Sequence, residues 1–153
     1  MGGRLCYDEP MKLHIITVGE PKLTYARQGW DEYLKRLQHY HQVQVTRIPD
    51  KYAYDADYIT KATAGTYTIA LEITGTQLTS PQLAAFLDKR ALEGRALSLL
   101  IGGPEGLPQT VRDNADYRWS FSTLTFPHDL AMVVLLESLY RASTISAGVP
   151  YHK

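Results

Sequence analysis

A single cysteine, Cys6, stands in the 153 residues, so no internal disulfide framework can staple the chain. That fits a reducing compartment, with a secreted chain free of disulfides still open. The Cys/His spacings that announce a metal centre are missing too, and no metal is expected. Charge of one sign is also lacking, because sixteen Lys and Arg offset sixteen Asp and Glu. Without a global basic field, contact with nucleic acid has to come from local patches. The first ten residues hold no apolar run like that of a secretion signal, and no stretch reads as the ~20 apolar residues of a membrane span. No membrane partner and a cytoplasmic location are therefore expected. Repeats and low-complexity tracts are absent as well.

What remains is enough apolar residues, 44% of the total, for one well-buried core and one domain. Residues 1 to 10 read as a loose extension, because "MKLHIITVG" restarts at Met11 like an ordinary first strand. From there strand and helix signals alternate. "KLHIITV" (12 to 18) is apolar and β-branched. Ala26, Trp30, Tyr33, Leu34 and Leu37 recur at helical spacing over residues 22 to 39. "VQVTRI" (43 to 48) alternates as a strand, and 49 to 65 lack a period and read as a loop with room for one short helix. "TYTIALEI" (66 to 73) is a third strand. Ser80 and Pro81 suit the N-cap and first turn of a helix that Gly94 should stop. "ALSLLI" (96 to 101) is continuously apolar, as a central parallel strand is. A short helix near Pro108 to Asn114 precedes a fifth strand, "YRWSFS". The last helix runs from His128 to Ala147, opened by Pro127 and closed by Gly148. The alternation predicts an α/β domain over residues 11 to 153 with a mostly parallel sheet.

Ligands of such sheets bind at the carboxyl ends of the strands. Three loops leave those ends: "TGTQLTS", "GGPEGLP" and "STLTFPH". The glycine loop matches no phosphate-binding motif, offers no Lys, and loses two N–H donors to Pro104 and Pro108. Its small residues instead let backbone approach a flat, largely uncharged ligand. The plain alternative is that Gly102, Gly103 and Gly106 only shape turns. The last helix is apolar nearly all round from Leu130 to Leu136, yet carries Glu137 and Arg141 at i, i+4 spacing. These form either a structural ion pair or one wall of a site. The tail Tyr151, His152 and Lys153 is either frayed surface or a hydroxyl, an imidazole and a cation suited to an RNA base and its phosphate.

In this order, "LEITG", "LLIGGPEGL", "FSTLTFPH", "LLESLYRA" and "PYHK" resemble the SPOUT-class ribosomal RNA methyltransferase H family, over essentially all of residues 11 to 153. That family methylates N3 of a pseudouridine in large-subunit ribosomal RNA. The resemblance implies a C-terminal trefoil knot, an exception to the rule against knotting, and a homodimer whose partner subunit completes the RNA site. It implies S-adenosylmethionine held by Leu71, Gly102, Phe121, Ser122, Thr123, Leu124, Thr125 and Phe126. It places Tyr151, His152 and Lys153 at the target nucleotide, with His152 handling a proton. Arg141 and Lys153 would stabilise an imide anion or place phosphate, and Glu137 would orient Arg141. The family usually carries Arg four residues after the His of "FPH", where this chain has Met132. The stretch between Asp50 and Thr66 is shorter than in most relatives, and an abbreviated loop is expected there. With so little net charge, recognition should need the shaped surface of the ribosome and both subunits. The rival readings are an RNA-binding relative without catalysis and a nucleotide-binding regulatory domain.

Overall fold

The computed structural model describes residues 10–152. Lys153 and all but the last residue of the expected extension lie outside them. Five strands form one sheet: β1 (Lys12–Val18), β2 (Gln42–Ile48), β3 (Tyr67–Gln77), β4 (Leu97–Ile101) and β5 (Tyr117–Ser120). Their order is β2-β1-β4-β3-β5, and every pairing is parallel. The helices between and after them are α1 (Thr24–Leu37), α2 (Ala56–Ala62), α3 (Ser80–Leu92), α4 (Gln109–Asn114) and α5 (His128–Ala147).

Alternation along β1 sorts the core into two layers. Leu13 and Ile15 face one side, where Leu97, Leu99 and Ile69 meet α1, α3 and α5. Ile16 and Val18 face the other, with Ala70, Leu100, Ile59 of α2 and Val111 of α4. Every residue of β4 is buried, as its unbroken apolar run requires of a central strand. Met132 is fully buried in the larger layer, so the position where the family resemblance implies an Arg is a core position in this chain. Gly29 lets α1 approach α5 closely, since a Cβ there would stand 3.0 Å from Val133 Cγ1.

Several elements differ from the expectation. The first turn of α3 is capped by Thr79, not Ser80. Thr79 Oγ1 accepts from Gln82 N at 3.2 Å, and Gln82 Oε1 accepts from Thr79 N at 2.9 Å, a reciprocal capping box that Ser80, one residue on, cannot make. The stretch expected as an abbreviated loop with room for one short helix holds that helix, α2, and in addition a 3-10 turn, Asp50–Tyr52. The third strand continues past residue 73, because Trp119 of β5 pairs first with Leu71 and then with Thr76. The intervening Glu72 to Gly75 bulge out of the ladder. The fifth strand stops at Ser120, two residues early. Helix α5 ends where Gly148 adopts φ +71°, the left-handed stop its sequence predicts. Helix α5 has twenty residues and an 18-residue stretch of mean hydropathy 1.3, so by length and composition alone it could cross a membrane, although Asp129, Glu137 and Arg141 interrupt its apolar run. Its buried residues instead form the inner wall of the domain core, between α1 and α3.

Candidate functional site

At the carboxyl edge of the sheet a cleft of about 570 Å³ opens between the loops that leave β3, β4 and β5, within the usual range for small-molecule sites. The glycine turn forms its floor. A Cβ on Gly102 would stand 2.6 Å from Gly106 C and 2.7 Å from Leu107 N, so only glycine lets the chain fold back on itself here. The reason differs from the ligand approach or positive φ that a glycine loop suggests, because Gly102 has no positive φ; Gly106 does, at +84°. Gly106 N donates to Gly103 O at 2.9 Å and closes the turn.

The β5–α5 loop makes the opposite wall. Ser120 Oγ donates to Ser122 O at 2.9 Å, and Ser122 Oγ accepts from Leu124 N at 3.0 Å, so two hydroxyls fix the loop locally. Phe121 packs edge-on against Trp119, 4.9 Å between centroids, and Leu124 is left exposed. His128 anchors the end of the loop: its Nε2 lies 2.9 Å from Val18 O, and because a carbonyl only accepts, that nitrogen carries the proton. Asp129 Oδ2 accepts from the backbone N–H groups of Lys22 and Leu23 at 2.8 and 2.7 Å. The start of α5 is thereby tied to the start of α1. The β3 bulge supplies the third wall, where Glu72 and Thr74 line the cleft beside Leu71.

Of the residues named as cofactor contacts, Leu71, Gly102, Phe121, Ser122, Leu124, Thr125 and Phe126 line this cleft. Thr123 belongs to the same loop, exposed and outside the lining. The cleft therefore gathers three stretches separated by tens of residues, with many backbone groups and few charges. Such walls suit a flat, neutral ring system.

The residues named as catalytic assemble elsewhere, around the last turns of α5. Arg141 donates to Glu137 Oε1 through Nε at 2.9 Å and through its terminal nitrogen at 2.6 Å. That hydrogen bond raises the guanidinium pKa above its already high value. Tyr151 donates to the same Glu137 oxygen at 3.3 Å, and Arg141 lies over its ring at 4.8 Å. Burial, then a hydrogen bond with Tyr33, then the charge of Glu137 push the Tyr151 phenol upward, so it remains a donor. His152 is exposed, with Nδ1 3.4 Å from Arg141. Since guanidinium only donates, this Nδ1 offers a lone pair. Lys153 lies outside the described residues.

Tyr33 is the member that sequence reading placed only as a helix-face residue. Its hydroxyl meets that of Tyr151 at 3.3 Å across 118 residues. It also packs 6.1 Å from Tyr140, whose ring lies edge-on to Tyr151 at 4.7 Å. Arg36 covers both Tyr33 and Tyr140. Nearby, His41 is buried and bonded to Ser143 Oγ at 2.9 Å, and burial lowers its pKa to about 4.

None of Glu137, Arg141, Tyr151 and His152 lines the cleft. Ala131 does, and Arg141 follows ten residues later, about 15 Å along the helix axis. Among the described residues no His, Cys, Asp and Glu group could hold a metal ion.

The family model "Predicted SPOUT methyltransferase" matches residues 11–152. The chain is 52% identical over 145 residues to the ribosomal RNA large subunit methyltransferase H of Deinococcus deserti, covering 94% of this chain and 100% of that one. It is equally similar, 52% over 145 residues, to the protein of that name from Deinococcus radiodurans, with 94% and 99% covered. Among solved structures, the tRNA (m1G37) methyltransferase from Aquifex aeolicus superimposes with a TM-score of 0.55 at 16% identity, over 95% of this chain and 74% of that one. That likeness concerns the fold.

Proposed function

Because the chain belongs to the SPOUT methyltransferase family, we propose that it transfers a methyl group from S-adenosylmethionine to N3 of a pseudouridine in large-subunit ribosomal RNA, acting on the assembled ribosome in the cytoplasm. The observation that carries this reading is the pairing of a cleft without a phosphate cradle with a charged cluster about half a helix length away along α5.

The donor fits the cleft by its chemistry. An adenosine carried on a sulfonium has no phosphate, so the loss of N–H donors at Pro104 and Pro108 is harmless. The closed glycine turn and the ring of Phe121 offer flat surface to a base, and Leu71, Gly102 and the Phe121 to Phe126 loop would hold it. When bound, the donor supplies a methyl group made electrophilic by the positive sulfur.

The cluster supplies what a ring nitrogen needs as its proton leaves. Arg141, kept charged and oriented by Glu137, would stabilise the imide anion. Tyr151 would hold Glu137 and Arg141 in place from the other side. His152 can take a proton at Nδ1 only by giving up the Arg141 contact, at 3.4 Å the longest bond of the cluster. An imidazolium would then face the guanidinium. The arrangement therefore suits anion stabilisation by Arg141 first, with His152 passing a proton onward.

Cleft and cluster lie too far apart in one chain to act on one methyl group. A homodimer resolves this, the cluster of one copy meeting the cleft of the other. The partly exposed stripe of Leu130, Val133, Val134 and Ser138 on α5 supports such pairing. The same reading takes the segment after β5 to be threaded as a trefoil knot. One tight long-range backbone approach supports it: a Cβ at Gly75 would stand 2.7 Å from Arg118 C. The test is mass spectrometry of ribosomal RNA from a strain lacking the gene, before and after the purified protein and labelled donor are added to its ribosomes. Loss and restoration of a methyl mark on pseudouridine is expected; an unchanged pattern contradicts the reading.

A further inference from the structure

Glu72 stands out among the charged groups lining the cleft, because its side chain is nine-tenths buried yet incompletely bonded. The β3 bulge carries it out of the sheet ladder and into the cleft wall. Oε1 is engaged twice, accepting from Arg112 at 3.2 Å and from Thr74 Oγ1 at 2.8 Å. Oε2 is buried and accepts no hydrogen bond among the described residues; Arg118 Nε stands off at 3.9 Å. A buried carboxylate oxygen left without a donor is costly to keep, so it marks a place where a ligand completes the bonding.

We infer that Glu72 Oε2 accepts a hydrogen bond from a ribose hydroxyl of the adenosine in the cleft, which makes Glu72 a specificity-determining residue for a ribonucleoside donor. This rests on the adenosylmethionine reading of the same cleft. Charge decides the kind of partner. Two guanidiniums already face this one carboxylate, so a further cation, such as the donor's ammonium or sulfonium, would enter a locally positive environment. A neutral O–H adds no charge and satisfies the open oxygen. The exocyclic amine of the base is the other neutral donor, but backbone carbonyls of the loops can serve it. Charge-assisted hydroxyl bonds to carboxylates are short and strong, and a site built around one rejects a ligand that lacks the hydroxyl.

Calorimetric titration tests this with S-adenosylhomocysteine, its 2′-deoxy and 3′-deoxy counterparts, and S-inosylhomocysteine, on the unmodified protein and on Glu72→Gln. One deoxy ligand is expected to bind the unmodified protein about ten- to hundredfold more weakly than the ribose form. In Glu72→Gln that gap should shrink to about twofold or less. Equal affinity of all ribose and deoxyribose ligands for the unmodified protein overturns the inference without recourse to any variant. A gap that persists in Glu72→Gln overturns it too, as does a gap that appears with the inosyl ligand and closes in the variant. Failure of the unmodified protein to bind S-adenosylhomocysteine removes the donor reading itself, and the inference with it. If Glu72→Gln unfolds through loss of the Arg112 contact, Glu72→Asp keeps the charge while drawing the carboxylate back, and the same narrowing of the gap is expected.

Discussion

The cleft and the α5 cluster are built in opposite ways. The cleft is made by backbone: a turn that only glycine can close, a bulge, and a loop pinned by two serine hydroxyls. The cluster is made by side chains, with Glu137, Arg141 and Tyr33 on finished helices and Tyr151 on the tail beyond α5, meshed by hydrogen bonds. The frame of a site made of backbone cannot be altered without altering the fold. One made of side chains can be dismantled while the fold stands. Binding and chemistry should therefore separate under mutation.

The largest effect is expected at Gly102. Even Gly102→Ala places a Cβ against the Gly106 and Leu107 backbone, so the turn has to open. Stability should fall by about 3 kcal/mol, and donor binding should be lost along with it. Thermal unfolding and calorimetry on one sample read both; loss of binding with unchanged stability would break the contrast.

Removal of Tyr151 to Lys153 should do the reverse. Methyl transfer to purified ribosomes should fall about 100-fold, with donor affinity within about twofold of the full chain. If the truncated chain methylates normally, the tail is ordinary surface.

Acid should distinguish the regions next. His41 holds the end of α1 against α5 beneath the cluster, with a folded pKa of about 4 against 6.5 in the unfolded chain. Between those values the unfolded state binds the extra proton. Stability is thus complete above about pH 6.5 and lost as pH falls toward 4, by about 2 kcal/mol at pH 5. His41→Gln should flatten this part of the curve, and hydrogen exchange at pH 5 should show the α1 end opening before the cleft loops. An unchanged acid profile in the variant would assign the sensitivity elsewhere.

The smallest effect is expected for Tyr33→Phe, which deletes one hydroxyl contact at 3.3 Å. Turnover should drop about threefold, with donor affinity and melting temperature nearly unchanged. A drop in affinity instead would connect cluster and cleft within one chain.

The contrast also explains what could be read from the sequence. Helix α5 was legible to the residue, because Pro127 and Gly148 punctuate it with groups whose backbone restrictions are local. Gly102 was singled out as a ligand contact, but the atoms that demand glycine there, in Gly106 and Leu107, become visible only once the turn is closed. The Thr79 cap could have been found, since Gln82 sits at box spacing from Thr79 and not from Ser80. The β3 bulge could not, because it is a matter of register with a strand some 45 residues away and leaves Glu72 looking like an ordinary strand residue. Tyr33 fits the apolar stripe of α1 equally well as core or as partner to Tyr151. Nothing local tells the two apart.

Complementation between two damaged chains tests the shared site most directly. Thr125→Trp fills the mouth of the cleft from an exposed position, and Arg141→Ala disables the cluster; each alone should be folded and nearly inactive. If cleft and cluster come from different copies, a mixed dimer holds one doubly damaged site and one intact site. Co-expressed in equal amounts, half the dimers are mixed, so activity should return to about one quarter of the undamaged level. Isolated mixed dimers should reach about one half. Activity that stays at the level of the single variants, with mixed dimers shown to be present, would place cleft and cluster in one chain and contradict the shared site.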